Sequence, residues 1–66
     1  MYYVNLNAEI ARCGISKRVL AERIGMRYGT LITKMAGNAP FTIEEARTIT
    51  KQFEGCTIDY LFDRKE

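Results

Sequence analysis

Histidine is absent from this 66-residue chain, and cysteine occurs only twice, at Cys13 and Cys56. Without histidine no Ser–His or Cys–His nucleophile pair can be assembled, and the commonest general acid–base side chain is missing. The same absence removes the usual Cys/His zinc patterns, and two cysteines fall short of the four or more of a disulfide scaffold this small. Both thiols read as small, semi-buried apolar groups. No apolar run is longer than a few residues, so no segment is expected to span a membrane. The opening "MYYVNLNAEIARC" has neither the basic start nor the apolar core of a secretory signal, which makes the cytoplasm the default location. No strand is evident, so a Gly-rich phosphate loop following one is excluded too. Glu44 and Glu45 resemble a catalytic carboxylate pair, but their place just after Thr42 explains them as first-turn residues of a helix. A non-enzyme is expected, with no catalytic residue, no metal and no cofactor.

What is present describes a globular domain: 47% of the residues are hydrophobic and 27% charged. Residues 1–66 read as a single domain, with no linker, repeat or low-complexity segment. A chain of this size buries only about 60% of the surface it exposes when unfolded. Its stability therefore leans on good helix packing or on a partner subunit. The formal net charge is +2, but it is unevenly spread. Residues 1–40 carry Arg12, Lys17, Arg18, Arg23, Arg27 and Lys34 against Glu9 and Glu22. Residues 41–66 carry four cations against six carboxylates. The imbalance suggests a polyanion-facing surface on the first half, although scattered cations are also what an ordinary solvated surface shows.

Apolar spacing predicts five short helices and an all-α fold. The first runs from about Asn5 to Cys13, with Leu6, Ile10 and Cys13 inward and Asn7, Glu9 and Arg12 more exposed, and Gly14 ends it. Ser16 caps a second helix, Lys17 to Ile24, which buries Leu20, Ala21 and Ile24. Gly25 then supplies a left-handed stop, and Met26 tucks inward. A third helix, about Tyr28 to Ala36, buries Leu31 and Met35. "GNAPF" breaks the pattern, because Pro40 cannot continue a helix and Gly37 and Asn38 suit a turn. Thr42 and Glu45 form a capping box for a fourth helix that buries Ile43, Ala46, Ile49 and Phe53 and stops at Gly55. A short last helix begins at Thr57 and buries Ile58, Leu61 and Phe62.

The stretch "SKRVLAERIGMRYGTLITKMAG" carries the functional signal. Two helices joined at a steep angle need a small residue where they cross, here Ala21, and a glycine turn, here Gly25. Leu20, Ile24, Met26 and Leu31 are spaced to lock the pair to the rest. Such a helix-turn-helix lays its second helix in the DNA major groove. The outer face of that helix would offer Arg27, Tyr28, Thr30, Thr33 and Lys34, which suit phosphate oxygens and base edges and include no acid. The same spacing also fits an ordinary helical hairpin, in which Tyr28 shields the core and Lys34 is merely solvated. Gly29 is the odd residue. Mid-helix it costs roughly 1 kcal/mol relative to alanine, and close approach of the helix backbone to DNA would explain it.

From Asn5 to Phe62 the chain resembles the phage repressor and Cro-like, or XRE-type, helix-turn-helix family. The resemblance lies in "GISKRVLAERIGM", "LITKMAGNAPFTIEEARTI" and "CTIDYLF", whose joint spacing is similar to one phage and mobile-element branch. It implies a compact bundle of about five helices. It also implies that Lys17 holds a phosphate, that Tyr28, Gly29 and Thr33 stand where relatives read base edges, and that Arg27, Thr30 and Lys34 lie at or beside the sugar-phosphate backbone. Asn38 falls where relatives make further backbone contacts. Three departures accompany it: Lys17 replaces a usual amide, Gly29 offers no side chain for reading, and Lys34 occupies a place that is apolar in many relatives.

The expected function is therefore that of a sequence-specific transcriptional regulator. It would bind a double-stranded DNA operator through helix 28–36, as a homodimer at least on DNA, with strongly salt-dependent affinity. A chain of this length leaves no room for a ligand-sensing domain. Tyr60 and Phe62, which cannot both face the core, and the aromatic pair of "MYYV" are the candidate dimer surfaces. The rival expectation is a small helix-turn-helix protein that binds another protein, as an antirepressor, antitoxin-like inhibitor or adaptor. The modest net charge and Gly29 leave that open.

Overall fold

Three of the helices begin at side chains suited to capping them. In the computed structural model, which describes residues 2–64, five helices follow one another: α1 Val4–Arg12, α2 Lys17–Ile24, α3 Tyr28–Met35, α4 Ile43–Thr50 and α5 Ile58–Leu61. The Ser16 hydroxyl accepts the Val19 N–H at the start of α2, and the Thr57 hydroxyl accepts the Tyr60 N–H at the start of α5, each at 3.1 Å. At α4 the capping box closes both ways, Thr42 Oγ1 accepting from Glu45 N and Glu45 Oε1 accepting from Thr42 N. Among the described residues there is no strand, and no helix is long and apolar enough to cross a membrane.

Leu6 and Ile10 of α1, Leu20 and Ala21 of α2, Leu31 and Met35 of α3, Ile49 of α4 and Leu61 of α5 share one core. Tyr3 and Phe53, which lie outside the helices, complete it. Gly25, at φ +71°, ends α2 in the left-handed region. Its N–H donates to Glu22 O and that of Met26 to Ala21 O, so the turn into α3 satisfies two of the carbonyls that the helix end leaves over. Gly37, at φ +85°, ends α3 in the same way. A Cβ there would stand 2.6 Å from the Tyr2 ring, so glycine also lets the N-terminal segment close over the turn.

Several positions differ from the expected pattern, each for a local reason. The fourth helix ends at Thr50 rather than near Gly55. Gln52 and Phe53 donate to carbonyls only three residues back, and this tighter winding turns the Phe53 ring into the core. Ile43 is 72% exposed, because it stands at the first position of α4 and opens onto a groove instead of a packed neighbour. Ile58 is 37% exposed at the matching first position of α5, and Cys13, beyond the last turn of α1, is exposed. The aromatic pair of the N-terminus does find a place inside. Tyr3 is buried and meets Phe41 and Phe62 edge-on at 5.5 and 5.7 Å, while Tyr2 packs edge-on against Tyr3. Phe62 is half-buried in this aromatic cluster.

Glu9 was expected on the outside and is buried. Its Oε1 accepts from Arg12 Nε and Nη2 at 3.0 and 2.7 Å, and its Oε2 accepts from the Tyr60 hydroxyl at 3.0 Å. Asn5 Nδ2 donates to the Tyr60 carbonyl at 2.8 Å, so α1 and α5 are joined by a small polar clasp. The carboxylate is satisfied on both oxygens, which is what makes its burial tolerable.

Candidate functional site

The α2–turn–α3 unit is built as its residue sizes require. Ala21, 2% exposed, is the small buried side chain of α2 beside the fully buried Leu20, and Ile24 and Met26 pack against the same core. With Leu31 and Met35 turned inward, α3 presents Tyr28, Gly29, Thr30 and Thr33 to the outside, and Arg27 at its N-cap is exposed as well. Five of the eight expected site residues thus share one end and face of a single helix. Lys17, half-buried, opens α2, and Asn38, exposed, lies in the turn after α3, where its N–H donates to Thr33 O.

Lys34 goes elsewhere. Its ammonium donates to both Glu45 oxygens, at 2.6 and 2.7 Å, with only 15% of the side chain exposed. Glu45 already closes the capping box of α4, so one carboxylate ties the end of α3 to the start of α4. The Lys34 ammonium, above all, holds Glu45 below the usual carboxylate range. The residue expected beside the sugar-phosphate backbone is occupied as a strut between helices.

The remaining surface is basic and open. Among the described residues Lys17, Arg18, Arg23 and Arg27 make no ion pair, and Glu22 is the one carboxylate on α2 and α3. Thr33 donates its hydroxyl proton to Gly29 O at 2.9 Å, which leaves its oxygen lone pairs and methyl group facing out. Gly29 has an ordinary helical φ, and a Cβ added there would meet nothing within 4 Å. Nothing inside the molecule asks for a glycine.

Sequence reasoning missed Arg18, counting it only as a charge. Its guanidinium carbon lies 4.2 Å from the centroid of the Tyr28 ring, a cation–π stack that bridges the start of α2 to the start of α3. Ten residues separate the two positions, and no helical spacing links them, so only the turn at Gly25 brings them together.

Concavities also lie elsewhere on the described residues. A groove of about 410 Å³ is floored by Tyr3, Phe41 and Phe62 and edged by Pro40, Ile43 and Ile58. A smaller one of about 270 Å³ lies over the Glu9, Arg12 and Tyr60 clasp and includes Cys56. There the Arg12 guanidinium holds Glu9 low despite burial, and donation to Glu9 raises the Tyr60 phenol. Burial raises the Cys56 thiol, the opposite of what a reactive cysteine needs. Among the described residues no group of three His, Cys, Asp or Glu side chains is placed to hold a metal ion.

No protein-family model, curated protein or solved structure matches the chain.

Proposed function

We propose that the chain is a sequence-specific DNA-binding transcriptional regulator of the phage repressor and Cro-like helix-turn-helix type, with α3 entering the major groove. Lys17, Arg27 and Thr30 lie at the sugar-phosphate backbone, Tyr28, Gly29 and Thr33 stand at the base edges, and Asn38 meets the backbone beyond α3. Lys34 positions α3 through Glu45. The observation that carries the reading is Gly29: it stands in the first turn of α3 rather than mid-helix, and there it leaves bare, exposed helix backbone on a helix without acids, where the fold itself has room for a side chain. A helix that must approach another molecule at backbone distance has that use for a glycine.

The test exploits opposite signs. Gly29→Ala should stabilise the isolated protein by about 0.4–1 kcal/mol, because alanine restricts the unfolded chain and meets no clash at this helical φ. The same methyl should weaken binding to DNA, followed by fluorescence anisotropy of labelled duplexes at low salt. A variant that is both more stable and an equal or better binder would remove the close approach on which the reading rests.

Pairing of two copies on an approximate palindrome, with half-sites roughly 34 Å apart, belongs to the same proposal. Tyr3 is buried and Phe62 half-buried, so the exposed Ile43 at the edge of the apolar groove they line is the better candidate for that contact. The same groove favours the second reading, a protein that acts by binding another protein. Ile43→Glu should then abolish capture of that partner without touching DNA affinity for a half-site, whereas in the dimer reading it lowers affinity for the full palindrome.

A further inference from the structure

Arg18 has an unusual choice of partner. Glu22 lies four residues along the same helix, within pairing reach, although with the cation first the pair is the weaker of the two orientations. Yet among the described residues no ion pair forms between them, and the guanidinium lies over the Tyr28 ring instead. The contact is made by the guanidinium carbon, 4.2 Å from the ring centroid, and needs none of the cation's N–H groups. Those N–H donors lie in the plane and make no hydrogen bond among the described residues, while both side chains remain exposed. The result is a guanidinium held at the N-terminal end of α3 with its N–H donors unspent.

We infer that the Arg18–Tyr28 stack is a guanine reader: Tyr28 holds the guanidinium so that two of its N–H groups meet O6 and N7 of one guanine in each half-site. The inference rests on the DNA-binding reading above and adds a base and a residue to it. Guanine is the base whose major-groove edge offers two acceptors side by side, and the arginine fork is the side chain that matches them. Tyr28 is the first residue of α3, and the N-terminal residues of such a helix are those that meet base edges. A loose surface arginine would satisfy a phosphate equally well, and the stack is what distinguishes this one. It removes the rotamer freedom that would otherwise be lost on binding, and a phosphate contact has little need of that.

Selection from a random DNA pool tests this, using wild type, Arg18→Lys, Tyr28→Leu and Tyr28→Phe, with folding checked by circular dichroism. The wild-type consensus should contain a guanine at one fixed half-site position. Arg18→Lys keeps the charge but lacks the fork, so preference for that guanine should fall about tenfold or more while affinity for random DNA stays within about twofold. Tyr28→Leu should blunt the same position, and Tyr28→Phe, which keeps an aromatic face, should preserve it. A consensus unchanged in Arg18→Lys would overturn the inference and leave DNA binding standing. So would an equal loss on selected and random DNA with a salt slope lower by about one phosphate, the mark of a backbone contact. No binding by wild type at low salt would overturn the DNA reading, and the guanine assignment with it.

Discussion

The two ends of the bundle treat their polar groups in opposite ways. Around α1, α4 and α5, two carboxylates are held by partners within the fold: Glu9 by Arg12 and Tyr60, and Glu45 by Lys34 and the Thr42 amide. Around α2 and the start of α3, Arg18, Arg23 and Arg27 are exposed and Lys17 is half-buried, and none of the four makes an ion pair among the described residues. Of the six cations in residues 1–40, the fold thus takes two for its own stability. Those two, Arg12 and Lys34, are the ones that sit opposite carboxylates of other turns or elements. The lesson is that a charge count along the chain overstates an interaction surface until the internal pairs are removed. After they are removed, the cations left in that region cluster on the helix pair that carries the bare backbone of Gly29.

If one end holds the fold and the other is available for binding, substitutions in the first should cost stability and those in the second affinity. The largest effect is expected at Phe53, 2% exposed against α4. Phe53→Ala should cost about 3–5 kcal/mol in urea unfolding, a large share of what so small a domain possesses. A loss below about 1 kcal/mol would show that the closed end is not the anchor.

Gly37→Ala comes next. It forces a side chain into a left-handed conformation at φ +85° and against the Tyr2 ring, and should cost about 1–2 kcal/mol. An unchanged unfolding midpoint would mean that the N-terminal segment does not need its seat on the turn. The two lysines then divide the molecule. Lys34→Ala should cost about 1 kcal/mol of stability and leave the salt dependence of DNA binding unchanged, while Lys17→Ala should lower the salt slope by about 0.9 with little effect on stability. Equal slope changes in both would place Lys34 on the DNA and erase the distinction between the ends.

The smallest effect is in the pH dependence. Glu9 and Glu45 sit below their ordinary carboxylate value of 4.5 in the folded state, chiefly through Arg12 and Lys34 respectively. A lowered folded pKa means stability that is present above 4.5 and lost as pH falls below it, because the unfolded chain then binds more protons. Thermal unfolding should show that acid loss, and Glu9→Gln with Glu45→Gln should flatten it. Tyr60, raised above 10.0, acts at the other extreme: its contribution is present below that value and lost as pH climbs through the higher folded one. A double variant with an unaltered acid slope would show that the two carboxylates are not what the fold holds in place.

Much of this was legible because it is local. Ser16, Thr42 with Glu45, and Thr57 cap the helices the sequence assigns to them, since a cap needs only its own next three residues. Gly25 and Gly37 end α2 and α3 for equally local reasons of backbone sterics. The outward set Arg27, Tyr28, Gly29, Thr30 and Thr33 follows from helical period with Leu31 and Met35 inward. The misplacements occurred where one element's neighbour matters. Ile43 and Ile58 fit their stripes, but each stands at a helix start with too little beyond it to cover the side chain. Glu9 read as exposed because its second partner, Tyr60, is 51 residues away.

The sequence by itself therefore determined an all-α chain of five short helices, their caps and stops, and the face that α3 turns outward. These depend on propensity, hydrogen bonds within a turn, and apolar period. Only the tertiary structure decided which cations remain outside. Lys34 meets Glu45 across 11 residues, and Arg18 covers Tyr28 across the turn at Gly25. Such pairings depend on the angle at which helices cross and on which side chain reaches a partner first, quantities that no spacing along one helix contains.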